Sequence, residues 1–109
     1  MMLKNIDRNV YEKEVIKSGQ PALLCFFKNT VSHSETAVTA EKLSRQFDAI
    51  QFYAVQEEEH EFFFGKFHFL GTPIFIFLFN GIERGRLMGT VSPERLRSFI
   101  ESNSREIKQ

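Results

Sequence analysis

Two short apolar runs constrain this chain more than any other feature: ALLCFF at residues 22–27 and IFIFLF at residues 74–79. ALLCFF follows Pro21 and is continuous rather than alternating, so it reads as a strand covered on both faces and hence as a central parallel strand. IQFYAV at 50–55 reads as a second buried strand, and IFIFLF as a third. Asn80-Gly81 is a hairpin signal that turns IFIFLF back into an antiparallel partner, IERGRLMG. Residues 3–7 (LKNID) supply a short edge strand.

The segments between the strands carry helical signals. Asn9 and Glu12 fit a capping box, Val10, Tyr11, Val15 and Ile16 do not alternate, and Gly19 marks the stop. Ser32 and Glu35 fit a second box, followed by the stripe Ala37, Ala40, Leu43 and Phe47. The acidic stretch Gln56–Glu61 opens a short helix whose inner face is expected to be Phe63, Phe64 and Phe67. Ser92 as N-cap, Pro93 and Glu94 start a last helix that buries Leu96, Phe99 and Ile100, with a tail from Ser104 expected to fray. The resulting order is β-α-β-α-β-α-β-β-α: an α/β fold with a central mixed β-sheet flanked by helices, in a single domain over residues 1–109.

Composition bounds the functions such a domain can have. At 109 residues and 12.7 kDa one core is expected. Fourteen basic residues balance fourteen acidic ones, which excludes a global positive field for nucleic acid. One cysteine excludes an internal disulfide and any cysteine-based metal cage. No apolar run is long enough to span a bilayer, and the N-terminus is too polar for a signal peptide, so a cytoplasmic location without membrane or nucleic-acid partners is the expectation. Thirteen phenylalanines without a tryptophan point to a ring-rich core, with Phe62, Phe79 and Val31 as candidates for an exposed apolar rim.

The concatenation of these pieces resembles thioredoxin over nearly the whole chain. VIKSGQPALLCFF looks like that family's helix, loop, proline and central strand, ending in the aromatic pair Phe26-Phe27. The stretch from Gln51 to Pro73 can be laid on the family pattern without a gap, with Gly71-Thr72-Pro73 on its Gly-x-Pro turn. Asn80-Gly81 and Gly89 match the hairpin glycines, and SPERLRSFI resembles the final helix. The resemblance implies a thioredoxin fold and a cis peptide bond before Pro73.

The departure from the family lies where its chemistry would be. Dithiol exchange needs Cys-x-x-Cys at the start of the second helix, so that the helix end lowers the pKa of the first thiol and the second resolves the mixed disulfide. Here the window reads Thr30-Val31-Ser32-His33-Ser34. Either Val31 and Ser34 or Thr30 and His33 replace the two cysteines, and neither pair carries sulfur. Cys25 takes the position where the family often buries an Asp. The expectation is therefore a redox-inactive, thioredoxin-like module that needs no cofactor. It would bind a protein or extended peptide over Thr30, Val31, Ser32, His33, Ser34, Thr72 and Pro73, by strand addition at the backbone before Pro73. Two alternatives remain at this level: a role in cell redox homeostasis through Cys25 or a partner oxidoreductase, and a structural role as a homodimer or homo-oligomer subunit. Cys25 is expected to be a buried, inert thiol. Ser32, His33 and Ser34 read as solvated helix-start residues rather than a nucleophile and base. His33, His60 and His68 with Glu57–Glu59 match no short metal-ligand spacing, and Arg84, Arg86, Arg95 and Arg97 read as a solvated face interleaved with Glu83 and Glu94.

Overall fold

The structure, a computed structural model, describes residues 3–28 and 31–106, with the backbone alone for residues 31–34 and 106. Among the described residues, five strands form one mixed sheet: β1 (Leu3–Ile6), β2 (Ala22–Phe26), β3 (Gln51–Val55), β4 (Ile74–Phe79) and β5 (Ile82–Met88), in the spatial order β1-β3-β2-β4-β5. β3 runs parallel to both β1 and β2, whereas β2 pairs antiparallel with β4 and β4 with β5. The expected α/β architecture with a mixed sheet is thus present, and ALLCF lies in its centre with every residue buried.

Period-two alternation divides the apolar residues of each strand between two helical layers. Leu24, Phe26, Tyr53, Val55, Ile74, Ile76 and Leu78 face one layer, with Tyr11, Val15 and Phe63. Leu23, Cys25, Phe52, Phe75 and Phe77 face the other, with Ala40, Leu43, Leu96 and Ile100. The first layer holds α1 (Arg8–Val10), which runs directly into a π-helical stretch (Tyr11–Lys17), and α3 (His60–Phe67) after a 3-10 turn (Glu57–Glu59). The second layer holds α2 (Val31–Ser44) and α4 (Pro93–Glu106).

Several local readings change. The first helix is capped by Asp7, whose Oδ1 accepts the Val10 N–H at 2.9 Å, and not by Asn9. An Asp directly after an edge strand can cap as soon as the chain turns, so the box at Asn9 and Glu12 falls inside the helix. α2 already begins at Val31, which puts Ser32 in its first turn instead of at its cap. α4 continues to Glu106, with the Ser104 hydroxyl donating to the Ile100 carbonyl at 2.7 Å; the rest of the tail, residues 107–109, lies outside the described residues. Its cap is as expected: Ser92 Oγ accepts the Arg95 N–H at 3.2 Å.

The aromatic assignments of α3 change more. Phe63 is buried, but Phe64 is half exposed and Phe62 packs against the core. Tyr11 reaches across from the first helix and meets Phe63 edge-on, with centroids 5.2 Å apart. The Arg8 guanidinium and the Lys66 ammonium lie 4.9 Å and 5.4 Å from the Phe62 ring centre. These contacts cover the Phe62 side of α3 and leave the Phe64 side open. Phe79 is likewise only partly exposed, with the Arg84 guanidinium 5.7 Å from its ring centre.

Two left-handed turns lock the first helix to the β4–β5 hairpin. Asn80 and Gly81 have φ of 54° and 72°, the signature of a two-residue hairpin turn, and Gly19 has φ of 68°. The Asn80 N–H donates to the Gly19 carbonyl at 3.0 Å, and a Cβ on Gly19 would come within 2.8 Å of Asn80 Oδ1. Gly19→Ala therefore meets both backbone strain and a clash. It is expected to lower the unfolding free energy by about 1–2 kcal/mol, read as a shift of the urea midpoint at unchanged slope.

Glu14 links the first helix to the sheet. It accepts from Lys4 Nζ of β1 at 2.5 Å and from the Tyr53 hydroxyl of β3 at 3.0 Å. The Lys4 hydrogen bond is the main reason its carboxyl titrates below the usual range, opposed by some burial and reinforced by Tyr53. Burial, then Glu14 itself, pushes the Tyr53 phenol up. Both Lys4 and Glu14 are well exposed, so screening holds the contribution to about 1 kcal/mol at most. A depressed carboxyl stabilises the fold above its unfolded pKa and stops doing so as pH falls through its folded value. Glu14→Gln should thus lose stability at neutral pH, and that deficit should vanish in acid when urea midpoints are compared across pH.

Candidate functional site

The rim at the end of β2 brings together three pieces of chain. α3 ends because His68 adopts the left-handed conformation, φ 52°, with its N–H donating to the Phe64 carbonyl at 2.8 Å. That reversal turns Phe69 inward, where its ring lies 4.7 Å from Phe26 and 5.6 Å from Phe64. The next residue then points the other way: Leu70 is 92% exposed. Gly71 and the half-buried Thr72 lead into a cis Thr72–Pro73 bond, which the resemblance implied. Pro73 is buried, and its carbonyl accepts the Gly89 N–H at 2.8 Å, tying the turn to the end of β5. Thr72 itself has no hydrogen-bond partner among the described residues.

The result is a shallow depression of about 320 Å³. Phe64, Phe69 and Leu70 form its apolar wall, Gly71 and Thr72 its backbone edge, and His60, Glu61 and Lys28 its polar margin. His60 is fixed by its Nε2 against the Val55 carbonyl at 3.2 Å and by its ring against Phe26, with centroids 5.6 Å apart. A second depression of about 630 Å³ adjoins it and shares Lys28; among the described residues Phe27, Gln56, Glu57 and Glu58 also line it.

Of the residues expected at the site, Thr72 and Pro73 lie together on this turn. The backbone of Val31, Ser32, His33 and Ser34 forms the first turn of α2, and their side chains lie outside the described residues, as does Thr30 entirely. His60, Phe64 and Leu70 are the residues that sequence reasoning missed. Leu70 lies outside any strand, so no alternation in the sequence marks its exposure.

Cys25 sits at the centre of β2, opposite Ala54 of β3 and Phe75 of β4. It is fully buried, and burial alone pushes its thiol far above the usual range. A thiol without thiolate character and without access is not a nucleophile. Among the described residues, no group of three or more His, Cys, Asp and Glu is placed to hold a metal ion. Arg86 is engaged rather than free for an anion: it pairs with Glu83 at 2.6 Å and donates to the Phe67 carbonyl at 2.7 Å. No described helix is long and apolar enough to cross a membrane. No protein-family model matches the chain, and no curated protein matches it.

Proposed function

We propose that this chain is a thioredoxin-like binding module without dithiol chemistry, which docks an extended peptide along the Thr72 edge. The observation that carries the reading is the conjunction of a backbone at Thr72 without a hydrogen-bond partner among the described residues and an exposed apolar wall, Phe64 and Leu70, beside it. A backbone edge gives affinity through main-chain hydrogen bonds, and an adjacent apolar depression gives selectivity for one side chain. The mixed sheet with helices on both faces supports the thioredoxin-like assignment. The sole cysteine argues against the redox alternative, because its thiol is buried in the central strand.

An array of extended peptides tests the reading. The wild-type chain should retain a subset rich in one apolar side chain. Phe64→Glu and Leu70→Glu should each weaken retention about tenfold or more, since a charge then lines the apolar wall. Leu70 is almost wholly exposed, so Leu70→Glu should leave the thermal midpoint little changed, whereas the half-buried Phe64 ring should cost roughly 4–8 °C when replaced. Undiminished retention by both variants, or none by the wild type, contradicts the proposal.

A further inference from the structure

The charge distribution around the rim goes further than the apolar wall and names the kind of peptide. Resting on the docking reading above, we propose that the preferred peptide places a lysine or arginine two residues from its apolar anchor. Glu61 borders the depression that holds Phe64 and Leu70, and Glu57 and Glu58 border the adjoining one. Glu58 and Glu61 are exposed and stand three apart at the entry to α3. Glu59, between them, is turned to the opposite side: its Oε1 accepts the Arg8 N–H at 3.2 Å, and its Oε2 lies 3.7 Å from the Arg8 guanidinium. Among the described residues that line the two depressions, Glu57, Glu58 and Glu61 are carboxylates and Lys28, shared by both, is an ammonium; Glu58 and Glu61 are the two assigned to the peptide's cation.

An extended peptide presents side chains i and i+2 on the same face. With the anchor at i against Phe64 and Leu70, the side chain at i+2 or i−2 enters the acidic margin. A cation there is attracted, and an acidic residue is repelled. The two depressions thus act as adjacent subsites, one apolar and one anionic, on a single strand-like ligand.

Three capped heptapeptides provide the probe. They share a central leucine and carry Lys, Ser or Glu at both positions two residues away. Calorimetric titration at low salt should rank them Lys, Ser, Glu, with about a five- to tenfold difference in affinity between the first and last, narrowing as salt is raised. The double substitution E58Q/E61Q should bring the affinities of the Lys and Glu peptides to within about twofold of each other. Equal affinity of all three for the wild type overturns the charge inference and leaves the docking reading standing. Failure of all three to bind overturns both, and a preference that survives E58Q/E61Q assigns the selectivity to other groups and overturns the proposal.

Discussion

Phe26→Ala is expected to lower the unfolding free energy by about 3–5 kcal/mol, the usual cost of removing a fully buried ring from a layer that cannot collapse around the void. Phe26 is completely inaccessible at the end of the central strand. Its ring is the hub of the aromatic layer, 5.8 Å from Phe63, 4.7 Å from Phe69 and 5.6 Å from His60, centre to centre. The substitution therefore removes support from α3 and from the turn that presents Leu70 at once. For a domain of this size the thermal midpoint should fall by roughly 15–30 °C. Phe64→Ala provides the contrast, because half of that ring is already in water and its loss should cost about 1 kcal/mol. Equal costs for the two would contradict the layer described above.

The second large effect concerns Cys25. In the native protein a thiol reagent can reach it only after the central strand opens, because none of its surface is accessible. With a typical stability of about 5 kcal/mol, the open population is roughly 10⁻⁴ to 10⁻³, so modification should be three to four orders of magnitude slower than in denaturant. The logarithm of the labelling rate should rise in proportion to the stability that Phe26→Ala removes, which ties the two experiments together. The same burial predicts that added protein leaves the reduction of insulin by dithiothreitol at its uncatalysed rate. Rapid labelling under native conditions would restore the monothiol alternative.

What could be read from the sequence follows a physical division. Several signals carried by a few adjacent residues survive in the structure: the apolar run before Phe27, the Asn80-Gly81 turn, the Ser92 cap and the stop at Gly19; the capping boxes at Asn9 and Ser32 do not, because each helix starts before them. The conformations of those that survive are set by local sterics and by burial on both faces. Signals that depend on distant contacts do not. Phe62 and Phe64 flank Phe63 symmetrically, and nothing local distinguishes them. Tyr11 and Arg8, some fifty residues earlier in the chain, decide which flank is covered. The π-helical stretch Tyr11–Lys17 carries no sequence pattern that sets it apart from an α-helix. Asn103 was likewise unexpected in the core; its Nδ2 donates to the Phe99 carbonyl one turn back at 2.9 Å, which lets a polar side chain be buried. At the site, the Gly-Thr-Pro turn was legible as punctuation. The wall of Phe64 and Leu70 was not, since it exists only once His68 reverses the chain.

Amide exchange at Thr72, followed by nuclear magnetic resonance with and without the lysine-flanked leucine peptide, probes strand addition at its point of action. The Thr72 amide should exchange freely in the unliganded chain. At saturating peptide it should slow by about tenfold or more, as the resonances of Phe64 and Leu70 shift with the same titration curve. Saturable binding with Thr72 unprotected, or protection appearing instead along β1 or β5, would place the ligand elsewhere and contradict the assignment of this edge.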